Sequence, residues 1–189
     1  IKRPNFFIIG APKSGTTAMS EYLRIHPQVF FSSPKEPQYF APEFQNTGTV
    51  RDINRYLELF SSVGPQHKII AEGSTKYLCS SDAISRIETF SPGAKYLVML
   101  RNPIELAVSL HEQVLYNGYE NETNFEMAWK LQKERAAGRF LPPHCDEPHD
   151  LQYGRFCILG AQVKKLYSLV DRERIKLIFF EDFTNDVRT

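Results

Sequence analysis

Phe6-Phe7-Ile8-Ile9-Gly10-Ala11-Pro12-Lys13-Ser14-Gly15-Thr16-Thr17 is an apolar run that breaks into a loop bracketed by two glycines and then enters a helical pattern. Strand, glycine loop and helix in that order make the first unit of an α/β domain. Gly10 and Gly15 have the G-x-x-x-x-G spacing of a phosphate-binding loop, whose backbone N–H groups wrap an anion while the next helix points its positive end at it. An ATP-type loop carries Lys directly after the second glycine, followed by a Ser or Thr that holds Mg²⁺. Here Thr16 takes that position and Lys13 lies inside the loop. The loop is therefore expected to bind a phosphate-like anion without a commitment to ATP and metal, with Lys13, Ser14, Gly15, Thr16 and Thr17 as its contacts.

Outward from the loop, short β-rich apolar runs alternate with helical patterns, which predicts an α/β domain of three layers, a central parallel sheet flanked by helices. Strands are expected at Phe6–Ile9, Gln28–Phe31, Lys68–Glu72, Tyr96–Arg101 and Ile175–Phe180. Tyr96–Leu100 and Ile175–Phe180 are nearly continuous in apolar residues, as strands covered on both faces are. The first helix, from about Gly15 to Ile25, places Ala18, Met19, Tyr22 and Leu23 on one stripe. A second starts at Asn102 as N-cap with Pro103 in the first helical position, buries Leu106, Ala107, Leu110, Val114 and Leu115, and closes at Asn117-Gly118. Further helices are expected at Phe125–Ala137, with Thr123 as cap, and as one long element from Phe156 to Val170 with Ile158, Leu159, Val163, Leu166 and Leu169 on its apolar face. Pro37–Val50 and Arg139–Gln152 lack periodicity and read as loops of the kind that shape acceptor sites.

Composition narrows the function classes. With 23 Lys+Arg against 22 Asp+Glu in 189 residues, the net charge of +1 gives no broad footprint for nucleic acid or an anionic membrane, so any anion site must be local. No apolar run approaches the length of a membrane span. Three widely spaced cysteines, Cys79, Cys145 and Cys157, fit neither a disulfide framework nor a zinc pattern and read as reduced structural thiols of a cytoplasmic protein. No metal site is expected. There is no internal repeat and no linker, so one domain over residues 1–189 is the simplest account; the start at Ile1 and the end at Thr189 directly after a strand-like segment suggest part of a longer protein.

A phosphate loop needs a second half. In an open parallel sheet ligands gather at the carboxyl ends of strands, and Arg101 sits at that end of the fourth strand, where a guanidinium can fork onto a phosphate. Ser109, seven positions after Asn102, projects from the same face as the helix start. The two are candidates to share one anion; a strand-end salt bridge for Arg101 and a hydroxyl bonded back to its own helix for Ser109 are the structural alternatives.

Pro-Lys-Ser-Gly-Thr-Thr after a strand and Arg-Asn-Pro-x-x-x-Ala-x-Ser after a later one resemble the 5′-phosphosulfate loop and the 3′-phosphate motif of sulfotransferases that use 3′-phosphoadenosine 5′-phosphosulfate. Pro34-Lys35-Glu36-Pro37-Gln38-Tyr39-Phe40 resembles the Lys-Glu-Pro-x-x-Phe segment of the heparan-sulfate type and related bacterial members, and Ala71–Leu78 and Phe179–Phe183 match that family more loosely. The resemblance covers nearly the whole chain. It implies a P-loop-NTPase-like sulfotransferase fold, the phosphosulfate donor with adenosine 3′,5′-bisphosphate as product and no metal. It also implies Glu36 as catalytic base, Lys13 on the departing phosphate, and Arg101 and Ser109 on the 3′-phosphate. Two departures stand out: heparan-type members carry Lys where this chain has Gly73, with Lys76 further along, and a basic loop that covers the 3′-phosphate and adenosine is absent from the sequence up to Thr189.

The implied acceptor is a small molecule, a carbohydrate or a lipid, with Tyr39, Phe40, Tyr116 and Tyr119 as candidates for an apolar acceptor wall. Among the five histidines His111, two residues from Ser109, is the competing base. The competing functions are a P-loop nucleotide kinase or NTPase, with Glu181 or Asp182 as its metal-side acid, and a nucleotide-binding domain of the same fold without activity. A Golgi-lumen catalytic domain is the alternative to a cytoplasmic one.

Overall fold

The computed structural model describes residues 2–45 and 48–185. Phe6–Gly10 (β1), Val29–Phe31 (β2), Ile69–Gly73 (β3), Lys95–Leu100 (β4) and Ile175–Phe179 (β5) form one parallel sheet in the order β2-β3-β1-β4-β5. Every expected strand is present within one residue of its expected bounds. The α-helices among the described residues are Thr16–Arg24 (α1), Ile53–Glu58 (α2), Ala83–Phe90 (α3), Pro103–Tyr116 (α4), Phe125–Ala136 (α5), Tyr153–Cys157 (α6), Leu159–Leu169 (α7) and Phe180–Asn185 (α8), with short 3-10 turns at Pro148–Leu151 and Arg172–Arg174.

Alternation along the strands divides the core in two. Phe7 and Ile9 of β1 with Tyr96, Val98 and Leu100 of β4 face a thick layer that includes Tyr56 of α2, Ile84 and Ile87 of α3, Leu106 and Leu110 of α4 and Phe156 of α6. Ile8, Leu97 and Met99 face the other way, onto Met19 and Leu23 of α1 and Phe183 of α8. The chain leaves β1 toward one edge of the sheet and later crosses to the other side of β1 for β4, so a crevice opens at the carboxyl end of β1, where such sheets bind ligands.

Local signals set the ends of α4. Asn102 Oδ1 accepts from Ile104 N at 2.9 Å, Pro103 fills the first turn, and Gly118 takes the left-handed φ of 75° just past the end.

Several expectations are corrected. The long helix over Phe156–Val170 is two helices, broken where Ile158 leaves helical space at ψ 46° and lies 58% exposed, so that only Leu159, Val163 and Leu166 of its stripe pack inward. α1 buries Thr16 and Ser20 beside Met19 and Leu23, while Ala18 and Tyr22 face outward; small polar residues let the helix lie close to the sheet, and Ser20 Oγ donates to Thr17 O at 2.7 Å. The cap of α5 is Asn124, whose Oδ1 accepts from Met127 N at 3.0 Å, rather than Thr123. β5 is an edge strand and partly exposed, not covered on both faces. α2 and α3 had no individual prediction.

Candidate active site

The loop after β1 is shaped by its glycines. Gly10 has φ 148°, and a Cβ there would lie 2.8 Å from Leu78 Cβ and 2.9 Å from Thr75 O. Gly15 caps α1 at φ 82°, with the Phe180 ring 3.1 Å from where a Cβ would be. Only glycine holds both positions without displacing neighbours. The first-turn N–H groups of α1, which have no intrahelical acceptor, therefore open onto the cleft.

That cleft has a volume of about 820 Å³ and runs along the carboxyl ends of the strands. Lys13, Gly15, Thr16 and Thr17 form its floor, Arg101 and Ser109 one wall, and Lys35, Glu36, Gln38, Thr75 and Lys76 the other. Of the expected contacts Ser14 alone turns away: it is buried, and its Oγ donates to Pro12 O at 3.3 Å, leaving its backbone N–H to the loop. Lys13 Nζ donates to Gln113 Oε1 at 2.9 Å, and Gln113 Nε2 in turn donates to Asn117 Oδ1 at 3.0 Å. Sequence reasoning missed Gln113, although it lies four residues after Ser109 and thus on the same face of α4.

Arg101 stands where expected, but its guanidinium is engaged: Nη1 donates to Lys13 O at 3.2 Å, Nε and Nη2 donate to Glu105 Oε2, and the group lies 4.8 Å from the centre of the Phe180 ring. The strand-end salt bridge is thus formed, by a side chain that also lines the cleft.

Glu36 follows β2 in the left-handed region, φ 64°, fixed by its own N–H donating to Gly73 O at 2.9 Å. Its carboxylate accepts from Lys35 Nζ at 2.8 Å, Thr75 Oγ1 at 2.8 Å and Gln38 Nε2 at 3.0 Å. Behind it Gln38 N donates to Ser74 Oγ at 3.0 Å, and Ser74 Oγ donates to Glu72 Oε1 at 2.5 Å. Burial pushes Glu72 up to about 7, against the bonds from Ser74 and Tyr56 that favour its ionised form. A second carboxyl group thus sits directly under the segment that carries Glu36.

His111 does not compete for the base role. It is buried, its Nε2 meets Glu122 O at 2.7 Å, and its ring packs on Phe125 and Tyr153. None of the five histidines lines the cleft. The other carboxylate on its wall, Asp150, pairs with Lys76 at 2.5 Å. The apolar acceptor wall is also corrected: Tyr39 stacks on Tyr56 at 4.5 Å, Phe40 is in the core, Tyr119 packs against that core and Tyr116 is 88% exposed. Aromatic side chains there met other aromatics before they met the cleft. Glu181 Oε1 accepts from Asn102 N at 3.1 Å, which ties α8 to the start of α4. Among the described residues no three His, Cys, Asp or Glu side chains gather as metal ligands.

The family of the Sulfotransferase domain matches residues 3–189. The chain is a sulfotransferase family member. A solved sulfotransferase from Alicyclobacillus acidocaldarius superposes with a TM-score of 0.88 at 31% identity, covering 99% of this chain and 77% of that one. Carbohydrate sulfotransferase 15 from Homo sapiens is 30% identical over 161 residues, which cover 64% of this chain and 28% of the relative. The membrane-associated sulfotransferase kil1 of Dictyostelium discoideum is 35% identical over 106 residues, covering 56% of this chain and 22% of its own. This sulfotransferase domain thus spans under a third of the length of these curated relatives. The family assignment replaces the nucleotide kinase reading. No helix among the described residues is long and apolar enough to cross a membrane.

Proposed function

We propose that residues 1–189 form a sulfotransferase domain that moves a sulfuryl group from 3′-phosphoadenosine 5′-phosphosulfate to a hydroxyl or amine of a carbohydrate-like acceptor, without a metal and with Glu36 as general base. One observation carries it: Glu36 and the Lys13–Thr17 loop, on different strands, line one cleft with Arg101 and Ser109. The residues fit the donor. Loop N–H groups, Thr16 and Thr17 suit the 5′-phosphate, and Arg101 and Ser109 suit the 3′-phosphate. The donor supplies a sulfuryl group with less charge than a terminal phosphoryl, so a lysine inside the loop can replace a metal-holding pair. Lys13 Nζ stabilises charge growing on the departing phosphate, and Glu36 takes the proton from the attacking group. The polar wall opposite the loop, Gln38, Thr75 and the Lys76–Asp150 pair, suits a hydroxylated acceptor, in keeping with the carbohydrate and heparan sulfate named for the relatives. A cytoplasmic setting is part of the same proposal, in keeping with three widely spaced cysteines that fit no disulfide framework.

Thermal-shift titration with adenosine 3′,5′-bisphosphate, with and without Mg²⁺, followed by transfer from ³⁵S-labelled donor to hexosamine oligosaccharides, tests this reading. Metal-independent binding is expected. Glu36→Gln should lower kcat by about 10²–10⁴-fold with nucleotide affinity unchanged, and Lys13→Ala by about 10²–10³-fold. Wild-type kcat in either variant at saturating donor would remove that residue's role; Mg²⁺-dependent ATP binding in place of the bisphosphate would remove the whole reading.

A further inference from the structure

Lys35 precedes Glu36 in the segment that resembles the base motif, where the role falls to the glutamate alone. The lysine's own place is more specific. Its Nζ lies 2.8 Å from Glu36 Oε1 and 3.4 Å from Thr16 Oγ1, so one ammonium bridges the proposed base and the donor loop. The side chain is mostly buried and runs past Gly73, where a Cβ would meet Lys35 Cε at an ordinary contact distance of 3.6 Å. Of the two other lysines of the cleft, Lys13 Nζ donates to Gln113 and Lys76 pairs with Asp150. Lys35 is thus the cation that stands between the two halves of the site.

We propose that Lys35 is a positioning residue for transfer, holding the Glu36 carboxylate aimed at the acceptor while its ammonium screens that carboxylate from the anionic group seated on Thr16. Two negative groups face each other in any complex competent for transfer, the base and the sulfuryl group, and a cation between them removes a repulsion that would hold them apart. In the step itself the acceptor oxygen bonds to sulfur as the sulfur–oxygen bond to the 5′-phosphate breaks. The acceptor proton goes to Glu36. Lys35 keeps its own proton throughout.

This inference rests on the sulfotransferase reading, and its test separates the two. Lys35→Met and Lys35→Arg are compared with wild type for binding of adenosine 3′,5′-bisphosphate, for thermal midpoint, and for release of ³⁵S-sulfate from labelled donor with water as acceptor, which needs no knowledge of the natural acceptor. Lys35→Met should turn over at least about 30-fold more slowly, with bisphosphate affinity within about threefold of wild type, and Lys35→Arg should recover at least about a third of the lost factor. Lys35→Met with more than half the wild-type turnover overturns the proposal, as does a loss of bisphosphate affinity that accounts for the whole effect. If Lys35→Met does not fold, Lys35→Arg and Lys35→Gln decide: equal rates in the two overturn it, and a retained rate only in the arginine variant supports it. Wild-type protein that neither binds the bisphosphate nor turns over the donor defeats the sulfotransferase reading itself.

Discussion

Two buried carboxyl groups, Glu72 and Glu120, are handled in opposite ways. Glu120 lies after α4 and is held by both terminal nitrogens of the equally buried Arg135 from α5, with Nη2 to Oε1 at 2.6 Å, by Tyr153 OH at 2.7 Å and by the N–H groups of Asn121 and Glu122. Burial alone would raise its affinity for protons, but these bonds outweigh burial and hold it below the ordinary carboxylate range. Glu72 on β3 has hydroxyl partners, Ser74 Oγ at 2.5 Å and Tyr56 OH at 3.1 Å, and burial prevails, raising it to about 7. The first group locks α4, α5 and α6 together. The second leaves a titrating group under the wall of the cleft.

The difference can be broken at either end, and the lock should respond most. Arg135→Met leaves a buried carboxylate without its cation and should cost about 3–5 kcal/mol, roughly 6–20 °C in Tm. The double variant Arg135→Met/Glu120→Leu should recover most of that loss; a midpoint within 2 °C of wild type, by the ~2–4 °C per kcal/mol scaling, in the single variant would show that the pair holds nothing together.

The pH dependence should have opposite signs at the two sites. The folded-state value of Glu72, about 7, lies above its ordinary 4.5, so its contribution is full below pH 4.5 and is lost as pH rises through 7. The loss is about 3 kcal/mol at most. Glu120, depressed in the fold, contributes above its unfolded value and loses that contribution as pH falls through its lowered folded one. Denaturant melts of Glu72→Gln across pH 5 to 8 should therefore be flatter than those of wild type, and parallel curves would place the titration elsewhere. The smallest effect belongs to the cleft. Thr75→Val removes one of the three side-chain bonds to Glu36 and should lower kcat about 5–10-fold, on the order of 1 kcal/mol, with Tm unchanged. An unaltered kcat would mean that Lys35 and Gln38 suffice to aim the carboxylate.

Much of the fold was legible because its signals are local. β1, the glycine loop and α1 follow from an apolar run, two glycines at positive φ and a helix start, and α4 from Asn102, Pro103 and Gly118. The unforeseen break at Ile158 shows the limit. An isoleucine at helical spacing reads as part of a stripe, yet two short helices pack their own residues inward and leave it outside. In the site, Lys13, Thr16, Thr17, Arg101, Ser109 and Glu36 were found from motifs and do line one cleft. Gln113, Thr75 and Gln38 were not, since a glutamine or threonine carries no chemical signature until its neighbour is known.

The sequence by itself determined an α/β domain, an anion loop whose lysine is displaced from the ATP-type position, and a glutamate in a motif that resembles a base. The first two readings need only steric rules and spacing within a few residues; the third is what the family resemblance implies. What only the tertiary structure decided is which charge answers which: Lys13 meeting Gln113 across 100 positions of chain, Lys35 placed between Glu36 and Thr16, and His111 and Tyr39 withdrawn from the site into packing. Such choices depend on strand order and on the direction from which each element enters the cleft. No local preference encodes these, because the energy that selects them is gained when distant segments close on one another.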